Sequence, residues 1–372
     1  MAKVSNKKIK VLTITPGLNV CGGIESYAMN YYLRINNSVK MDFITHDISD
    51  NYYKNLIEKN GDKVYLFPKI GLKNYKEVIN KVDDFFKEHH DYNIVHCHMA
   101  NAAFLYLKVA KKYGIKVRIL HSHQNKAADI LSHAIRNVFL IRFGLKYANV
   151  NFACSKLAGD YLFKNKKYYI IKNAIDTDRF KFNNEVRNKY RKDLKLNDYF
   201  VIGNVGRFCA QKNQLFLIDV FNNVNSKIKS KLLLIGSGSL KEKIEEKINE
   251  LGLNENVIIL PPKSDIENYY QAMDMFILPS IYEGLGIVNV EAQCTGLQTV
   301  VSDRIPKDAG ICDLIHYVSL NSSIDEWSNV IIDNMKYKRK SHIKDARSCG
   351  YDITKESLKL INLYKKIIKD CK

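Results

Sequence analysis

Short apolar runs of four to six residues alternate with longer amphipathic segments along almost the whole chain. Segments such as IESYAMNYYLRI and YKEVINKVDDFFKEH have helical spacing of their apolar residues, whereas the short runs are typical of buried strands. In the first half we therefore predict strands at KVLTIT, MDFIT, KVYLF, IVHCH, VRILHSH and VNFACS. Strands that alternate with helices in this way are typical of parallel βα units.

The second half repeats this pattern. Strands are predicted at FVIGNVG, KLLLIG, NVIIL, MFILPS and QTVVS, and the segment YDITKESLKLINLYKKIIKD predicts an amphipathic C-terminal helix. A chain of 372 residues is long enough for two cores. We therefore predict an α/β fold class, with two tandem Rossmann-like, doubly wound domains facing a cleft. The joint is predicted near YYIIKNAIDTDRF, which divides residues 1–172 from residues 173–352.

Charge is distributed unevenly along the chain, whose formal net charge is +19. Residues 1–190 contain 32 Lys and Arg against 16 Asp and Glu, whereas residues 191–372 contain 26 against 23. The first half therefore carries +16, and residues 108–172 alone hold 14 basic and 2 acidic side chains. Such a field attracts nucleic acid, an anionic membrane surface or a phosphate-bearing substrate. The competing explanation is that the excess of basic residues reflects only the biased composition of the genome.

Neither disulfides nor a targeting segment are predicted. The eight cysteines include no C-x-x-C pair, and the apolar run near the amino terminus is short and interrupted by Pro16. That run fits a first strand better than a signal peptide. No window approaches the ~18 consecutive apolar residues of a membrane span. We therefore expect a cytoplasmic protein with reduced cysteines.

Two glycine-rich turns lie between a predicted strand and a predicted helix. Gly22 and Gly23 precede the first helix, and Gly236 follows KLLLIG. Glycine lets backbone amides approach a phosphate or a sugar closely, because no Cβ intervenes. The first turn matches neither a Walker A loop nor G-x-G-x-x-G. A tight structural turn explains either sequence equally well.

Histidine pairs end two predicted strands, His96 with His98 and His121 with His123. Residues i and i+2 of a strand share a face, so each pair is expected to point the same way. Three interpretations stay open. The pairs could bind a metal, although no carboxylate accompanies them. They could also contact a substrate hydroxyl at the edge of a cleft, or, for His96 and His121, be satisfied core residues.

Charged residues also follow strands of the second half. Arg207 and Lys212 lie between the strand FVIGNVG and a helix predicted to begin near Asn213. A guanidinium, an ammonium and a helix N-terminus form a good receptor for a diphosphate. Glu283 lies in the loop after MFILPS and Glu291 about one turn into the next helix, where carboxylates can accept hydrogen bonds from sugar and ribose hydroxyls. A solvated surface pair and ordinary helix capping are the structural alternatives.

The segment AIDTDRF contains Asp176 and Asp178, a D-x-D arrangement of the kind that binds divalent metals in one class of sugar-nucleotide enzymes. It follows no clear nucleotide-binding strand and coincides with the predicted joint between domains. We therefore do not predict a metal site there.

Taken in order, six segments of the chain resemble glycosyltransferase family 4, and especially the bacterial enzymes of capsular and other surface polysaccharide assembly: GGIE, HSHQN, IIKNAIDTDRF, NVGRFCAQKN, IGSGSL and PSIYEGLGIVNVEAQCTG. The resemblance covers nearly the whole chain and implies the GT-B fold, with helix 353–372 packing back on the first domain. It implies a retaining transferase without metal or other cofactor. The donor would be a nucleoside-diphosphate sugar, with UDP preferred, and the acceptor a glycan or a polyprenyl-diphosphate-linked glycan.

By position, the resemblance also implies the roles of individual residues. Arg207 and Lys212 would contact the diphosphate, Glu291 the ribose and Glu283 the transferred sugar. The catalytic residues would be His123, Arg207, Lys212 and Glu283, with His98 on the acceptor side. The donor-binding residues would be Gly22, Gly23, Arg207, Lys212, Gly236, Pro262, Lys263, Glu283, Gly284, Leu285, Gly286, Ile287 and Glu291.

The sequence departs from the family pattern at several positions. Gly286 replaces a frequent proline, Pro262 a usual glycine near the base, and Ala174 the glycine of a frequent PNGID segment. Ser237 stands where an acidic residue is usual. These departures leave the reaction class intact and the identities of base and sugar open.

Two other functions are compatible with the sequence. A sugar-nucleotide epimerase has the same fold, but beyond Glu283 we find no carboxylate placed for acid–base work. A nucleic-acid-binding protein would explain the basic half, which offers few interleaved aromatics, so no nucleic acid is expected. Our preferred explanation is that the first domain docks on the anionic inner face of the cell membrane. Residues 127–148, with Arg136, Arg142 and Lys146 among apolar side chains, predict an interfacial helix or a buried one.

Overall fold

The computed structural model describes residues 8–20, 22–71, 73–124 and 131–371, the last range without the side chains of residues 131–135. The chain divides into two compact units. The first contains the chain up to Ala174 together with the segment from Ile353 onward, and the second runs from Ile175 to Asp352. This division falls two residues beyond the predicted joint at 172/173.

In the described part of the first unit, seven parallel strands form one sheet in the order β3-β2-β1-β4-β5-β6-β7. The register pairs Ile9 with Val39 across β1 and β2, and Val11 with Ile94 across β1 and β4. The strands are β1 (Ile9–Thr15), β2 (Val39–Thr45), β3 (Val64–Leu66), β4 (Ile94–Cys97), β5 (Val117–Ser122), β6 (Val150–Ala153) and β7 (Tyr169–Ile170).

Helices connect these strands and cover both faces of the sheet. They are α1 (Gly23–Ile35), α2 (Tyr52–Lys59), α3 (Tyr75–Glu88), α4 (Ala103–Lys112), α5 (Leu131–Tyr147) and α6 (Lys156–Phe163). Successive strand residues point to opposite faces, so Val11 and Phe43 enter one apolar core and Leu12 and Ile44 the other. Because both faces are buried, the strands are continuous apolar runs without alternation.

Residues 175–352, all of which are described, contain six parallel strands in the order β10-β9-β8-β11-β12-β13. These strands are β8 (Phe200–Val205), β9 (Ser230–Ile235), β10 (Val257–Leu260), β11 (Met275–Leu278), β12 (Gln298–Ser302) and β13 (Ile315–Val318). The helices of this unit are α7 (Asn184–Asp193), α8 (Gln214–Asn225), α9 (Lys241–Glu250), α10 (Ile266–Ala272), α11 (Ile287–Cys294), α12 (Ile324–Asp333) and α13 (Ile343–Ser348). Two short 3₁₀ turns span Ala210–Lys212 and Lys307–Ala309.

The C-terminal helix α14 (Ile353–Asp370) completes the first unit. Leu360, Tyr364 and Ile367 recur at helical spacing and enter the same core as Val11 and Tyr31. Burial of this stripe accounts for the amphipathic pattern at the end of the sequence.

All eleven strands predicted from the apolar runs are present, with ends shifted by a few residues. Strands β7 and β13, which lie at edges of the two sheets, were not predicted. Tyr169 and Ile170 are exposed, and most of β13 is only half-buried. An edge strand buries less apolar surface, so its sequence contains a weaker strand signal.

Both sheets contain a point where the strand order reverses, between β1 and β4 in the first unit and between β8 and β11 in the second. The connections after two such neighbouring strands leave in opposite directions and open a crevice at the carboxyl ends of the strands. The loops that follow β1, β4, β8 and β11 are therefore the places where each unit could bind a ligand.

Candidate active site

The loops after β8 and β11 meet at the crevice of the second unit. Lys212 ends the 3₁₀ turn after β8, and its Nζ lies 2.6 Å from Oε1 of Glu283 in the loop after β11. The side chains of Lys212 and Glu283 are 15% and 9% exposed. The sequence predicted both residues for a donor site, and the structure brings them into one buried ion pair.

Hydrogen bonds from polar residues around Lys212 hold the two loops together. The Gln211 carbonyl accepts from the amide of Ile281 at 2.8 Å, and the Gln211 side-chain amide donates to the Tyr282 carbonyl at 3.0 Å. Asn213 donates to the Pro279 carbonyl at 3.2 Å and adopts a left-handed backbone with φ +57°. We did not identify Gln211 or Asn213 from the sequence. The signal was available, since Asn is among the few residues that adopt this conformation readily.

Arg207 lies two residues after β8 with an exposed side chain. Its carbonyl accepts from Gln214 at 3.0 Å, so the backbone is fixed. Among the described residues, the guanidinium has no hydrogen-bond or ion-pair partner. This cation is therefore available to an external anion, whereas Lys212 already has a carboxylate beside it.

The turn that contains Gly236 packs directly against the turn after β8. A Cβ on Gly236 would lie 2.0 Å from the carbonyl oxygen of Gly206, and the amide of Phe208 donates to the Ser237 carbonyl at 2.8 Å. Glycine is therefore required here by a close approach of two backbones. The structure supports the packing explanation of this turn and places it beside the loop that contains Arg207.

The segment from Gly284 to Ile287 leads into α11, as the sequence predicted. Gly286 precedes the first helical residue with φ +79°, a conformation that glycine adopts without strain. Leu285 is buried in the core of the unit. The free amides at the start of α11 consequently lie in the same loop as Glu283.

Glu291 lies on α11, one turn from its start. The hydroxyl of buried Tyr270 donates to Oε2 of Glu291 at 2.9 Å. Burial raises the pKa of Glu291 to about 7, although the Tyr270 hydroxyl and the nearby Arg179 oppose the rise. Arg179 itself binds Glu267 through two hydrogen bonds, of 2.6 and 3.2 Å. Neither Tyr270 nor Arg179 was identified from the sequence, because their approach to Glu291 depends on how α10 packs.

Pro262 and Lys263 lie further from this group along the sheet. They follow β10, the edge strand, and β9 separates that strand from β8. Both residues are half-buried, and Nζ of Lys263 lies over the Tyr269 ring at 5.6 Å. The structure therefore does not bring them into contact with the Lys212–Glu283 pair.

In the first unit, the turn after β1 contains Gly22 and Gly23. Gly23 begins α1, and a Cβ there would meet nothing within 4 Å. A Cβ on Gly22 would lie 1.8 Å from Oε2 of Glu25, which folds back over the turn and is 9% exposed. Glu25 was not identified from the sequence. Its carboxylate adds negative charge where the resemblance implied contact with a diphosphate.

The four histidines at the ends of β4 and β5 form one cluster, in which His96, His98 and His121 are buried and His123 is half-buried. Nε2 of His96 lies 3.0 Å from Nδ1 of His121, and Nδ1 of His98 lies 2.8 Å from Nε2 of His123. The rings stack in two layers, with 4.2 Å between the centroids of His96 and His98 and 4.1 Å between those of His121 and His123. The two layers confirm that residues i and i+2 of each strand share a face.

The cluster continues into the C-terminal helix, because Nδ1 of His96 lies 2.8 Å from the hydroxyl of Tyr364. Sequence reasoning could not find Tyr364, which is remote in the chain. Nε2 of His121 and Nδ1 of His123 are buried and have no hydrogen-bond partner among the described residues. Burial lowers the pKa of His96 and of His123 to about 3, so the imidazoles are neutral near neutral pH.

Neutral imidazoles can bind a metal, and one nitrogen each from His96, His98 and His121 lies within 4.8 Å of the others. In this structure, however, the nitrogens of His96 are both hydrogen-bonded, to Tyr364 and to His121. The geometry therefore fits a hydrogen-bonded network that uses both ring nitrogens of His96.

Asp176 and Asp178 lie at the start of the second unit. Asp178 accepts from Arg347 at 2.7 Å, and the same arginine donates to Thr177 at 2.9 Å. Asp178 therefore has a structural partner within the second unit.

The predicted interfacial segment is described only in part, since residues 127–130 lie outside the described residues. Within α5, Phe139 and Phe143 are 58% and 57% exposed, and Arg136, Arg142 and Lys146 are exposed beside them. This face of α5 is therefore not a buried one. Among the described residues, no helix combines the length and the apolar character needed to span a bilayer.

Two family models match successive parts of the chain. Glycosyltransferase Family 4 matches residues 21–179, and Glycosyl transferases group 1 matches residues 186–342. The first match ends five residues beyond Ala174, where the first structural unit ends, and the second match lies wholly within the second unit.

Individual proteins match either nearly the whole chain or about half of it. The chain is 29% identical to a protein of Bacillus subtilis (strain 168) named as glycosyltransferase EpsF, over 97% of both chains. It is 27% identical, over 53% of this chain and 54% of the other, to the Escherichia coli UDP-Gal:alpha-D-GlcNAc-diphosphoundecaprenol alpha-1,3-galactosyltransferase. The crystal structure of Anabaena Alr3699/HepE in complex with UDP-glucose superimposes with a TM-score of 0.73 at 17% identity, over 98% of each chain. That last likeness concerns the fold.

Proposed function

The chain belongs to the glycosyltransferases that join a Family 4 domain to a group 1 domain in a GT-B fold, and we propose that it is a retaining enzyme that uses a nucleoside-diphosphate sugar. The donor is a UDP-sugar, and the acceptor is a glycan or a polyprenyl-diphosphate-linked glycan of a surface polysaccharide. Activity as a glycosyltransferase follows from the family. The donor, the acceptor, the stereochemistry and the site residues are our proposal.

The observation that carries the proposal is the arrangement of charge at the crevice of the second unit. The exposed guanidinium of Arg207, which has no partner in the described part of the chain, lies in the same loop as Lys212, which is paired with Glu283 at 2.6 Å. The N-terminus of α11 follows in the Glu283 loop. Two cations and free helix amides favour a bound diphosphate, and the carboxylate of Glu283 can accept hydrogen bonds from sugar hydroxyls.

The chemistry proposed for these residues is stabilisation of the leaving group. When the bond between the sugar and the diphosphate breaks, negative charge develops on the phosphate oxygens. Arg207 and Lys212 stabilise that charge from fixed positions, so no divalent metal is needed. Attack by the acceptor on the same face of the sugar retains the anomeric configuration, and the departing phosphate helps to remove the proton of the acceptor hydroxyl.

Glu291 is proposed to bind the ribose of the donor. It lies one helical turn beyond the Glu283 loop, and Tyr270 fixes one of its oxygens at 2.9 Å. As a carboxylate it can accept a hydrogen bond from each hydroxyl of a ribose diol. UDP is proposed as the nucleotide because the Escherichia coli relative is named for UDP-Gal, and Anabaena HepE has been crystallised with UDP-glucose. Pro262 and Lys263 are proposed to lie near the base.

The histidine cluster of the first unit is proposed to serve the acceptor and the reacting sugar. The free nitrogen of His123 can donate or accept a hydrogen bond to a hydroxyl, while His98 holds its other nitrogen at 2.8 Å. We propose that the turn at Gly22 and Gly23 lets the donor approach the backbone amides of this unit. A lipid-linked acceptor is supported by the name of the Escherichia coli relative, which specifies a diphosphoundecaprenol substrate.

A lipid-linked acceptor lies at a membrane, and we propose that the exposed face of α5 brings the first unit there. Phe139 and Phe143 are one turn apart, with Arg136, Arg142 and Lys146 around them. Aromatic side chains beside cations are the composition of helices that lie in the interface of an anionic bilayer. The protein would then be cytoplasmic and bound to the inner face of the membrane.

The experiment that tests this function is a screen of nucleotide sugars for release of the nucleoside diphosphate, with and without a lipid-linked acceptor. We expect a UDP-sugar to be hydrolysed slowly alone and transferred with the acceptor. The anomeric configuration of the product, read by NMR, is expected to match that of the donor. Added Mg²⁺ or Mn²⁺ should not raise the rate of chelator-treated enzyme. Isomerisation of the donor sugar without transfer would instead identify an epimerase.

A further inference from the structure

A second cluster of potential ligand atoms lies in the second unit, in segments that the proposed function does not use. Cys312 and Asp313 belong to the turn before β13, and His342 directly precedes α13. One ligand atom from each of these three residues lies within 4.8 Å of the other two. His342 is buried, Cys312 is half-buried and Asp313 is exposed, so the cluster is open to solvent on one side.

His342 is oriented as a metal-binding histidine usually is. Its Nδ1 lies 2.7 Å from a carboxylate oxygen of Asp345, and because a carboxylate only accepts, Nδ1 carries the proton. The lone pair of the neutral ring is then on Nε2, the nitrogen left for a metal. The nearest donor to it is the hydroxyl of Tyr337 at 3.3 Å, which is long for an O–H···N hydrogen bond. A histidine that binds a metal through one ring nitrogen commonly donates a hydrogen bond to a carboxylate through the other.

The end of α11 holds the two ligand segments in place. The amide of His342 donates to the carbonyl of Cys294 at 3.1 Å. On the other segment, the amide of Ile311 donates to Oε1 of Gln293 at 3.0 Å. Neighbouring residues of one helix therefore fix the backbones on both sides of the cluster. Because the fold already holds both segments in place, metal binding would not require the chain to become ordered.

We propose that Cys312, Asp313 and His342 bind a divalent transition metal of the zinc class, with Asp345 positioning His342. One sulfur, one imidazole nitrogen and one carboxylate oxygen form a donor set that suits Zn²⁺ and Co²⁺ and disfavours Mg²⁺ and Ca²⁺, which take oxygen ligands. The Cys312 thiol releases its proton to solvent as the sulfur–metal bond forms. Water completes the coordination.

This site is separate from the proposed transfer chemistry, because none of the residues proposed to bind the donor is a ligand. Its consequence is structural. A bound ion would link the turn before β13 to the start of α13, two segments that both pack against α11. Metal should therefore raise the thermal stability of the protein and leave the need for divalent ions in transfer unchanged.

The test is a titration of the full chain, without an affinity tag and after treatment with chelator, with Co²⁺. We expect one equivalent to bind with the near-ultraviolet charge-transfer band of a cobalt–thiolate bond, and Zn²⁺ to displace it and raise the melting temperature. Cys312→Ser should abolish the band. Asp345→Asn should weaken binding about 10- to 100-fold, the usual effect of removing the outer partner of a metal-bound histidine.

Matched controls separate this site from adventitious binding. Cys371→Ser removes another half-buried thiol, and Asp333→Asn another exposed carboxylate, and both variants should bind Co²⁺ as the parent does. If Cys312→Ser does not fold, Asp313→Asn provides the test, because Asp313 is exposed and its substitution should not prevent folding. This variant should weaken Co²⁺ binding at least about 10-fold. Absence of the band in the parent, or a band that persists in Cys312→Ser, would overturn the proposal. Co²⁺ could also bind without a thiolate band and with unchanged affinity in Asp313→Asn. That result would assign the metal to the histidine cluster and would also overturn the proposal.

Discussion

Nζ of Lys212 and Oε1 of Glu283 lie 2.6 Å apart in a largely buried ion pair that joins the loops after β8 and β11. The pair neutralises the cation that we propose for the diphosphate and positions the carboxylate that we propose for the sugar. Each partner also offsets the free-energy cost of burying the charge of the other, so the pair contributes to stability as well as to the proposed site.

Lys212→Ala should abolish turnover and also destabilise the protein. Without its partner, Glu283 is a buried carboxylate, and the free energy of unfolding should fall by about 3 kcal/mol. The double variant Lys212→Met/Glu283→Gln should recover most of that stability while its turnover stays at least about 100-fold below that of the parent. Denaturant unfolding and donor hydrolysis measured on the same samples separate the two effects. Normal turnover in the double variant would exclude a role of the pair in catalysis.

Arg207→Ala should reduce turnover without destabilising the protein. The guanidinium is exposed and has no partner among the described residues, so its removal should change the free energy of unfolding by less than about 0.5 kcal/mol. Turnover should fall about 100-fold, because a fixed cation is lost from the developing charge. Lys243→Ala, an exposed cation on α9, is the control and should match the parent in both measurements. An equal response of the two variants would contradict the assignment of Arg207.

Glu291 should make donor binding depend on pH. Its pKa is raised from 4.5 to about 7, so the folded state holds a proton that the unfolded state has lost between these values. Stability contributed by this group therefore falls as pH rises from about 4.5 to about 7 and is constant above. A ribose diol is bound by the carboxylate, so UDP affinity should increase several-fold from about pH 6 to about pH 8. UDP affinity is measured by calorimetry at each pH in the parent and in Glu291→Gln, and the variant shows how much of the pH dependence comes from protonation of UDP itself. An identical pH dependence in the two proteins would refute the role of Glu291 in binding the ribose.

His123→Ala should reduce transfer by about 100-fold or more, the usual contribution of a positioned proton donor or acceptor. UDP binding, which we assign mainly to the second unit, should be unchanged. His90→Ala, on an exposed histidine of the same unit, controls for general effects. Loss of UDP affinity together with turnover would indicate that His123 acts on the nucleotide and not on the acceptor or the sugar.

The exposed face of α5 should govern binding to vesicles. The parent is expected to float with vesicles that contain anionic lipid and to stay behind with neutral ones, and Phe139→Ser/Phe143→Ser should weaken flotation at least several-fold. Leu358→Ser alters an equally exposed apolar residue on α14 and should float as the parent does. Flotation that does not depend on lipid charge, or that survives the double substitution, would remove the membrane proposal.

The strands and the order of the site residues could be predicted from sequence because a buried parallel sheet has a strong local signal. Runs such as MFIL in β11 are buried on both faces, and ligand-binding residues of such sheets follow the carboxyl ends of the strands. The strands β7 and β13 have no such signal, since β7 consists of two exposed residues and β13 is half-buried along most of its length. Gly286 could be expected before α11, because its backbone conformation is one that glycine adopts without strain.

The partners of the site residues could not be predicted, because they depend on packing between elements distant in the sequence. Tyr270 reaches Glu291 from α10, and Tyr364 reaches His96 from the opposite end of the chain. Glu25 was overlooked because a glutamate in the first turn of a helix is ordinarily a capping residue, yet it folds over Gly22. The cluster at His342 likewise needs two segments that only the fold brings together.

A crystal structure of the protein soaked with UDP tests the central claim most directly. We predict density for the diphosphate at the start of α11, with the Arg207 guanidinium and Lys212 Nζ within hydrogen-bonding distance of its oxygens and both ribose hydroxyls on Glu291. Density for UDP elsewhere, or a crevice between β8 and β11 that stays unoccupied at saturating UDP with Arg207 turned away, would contradict the account.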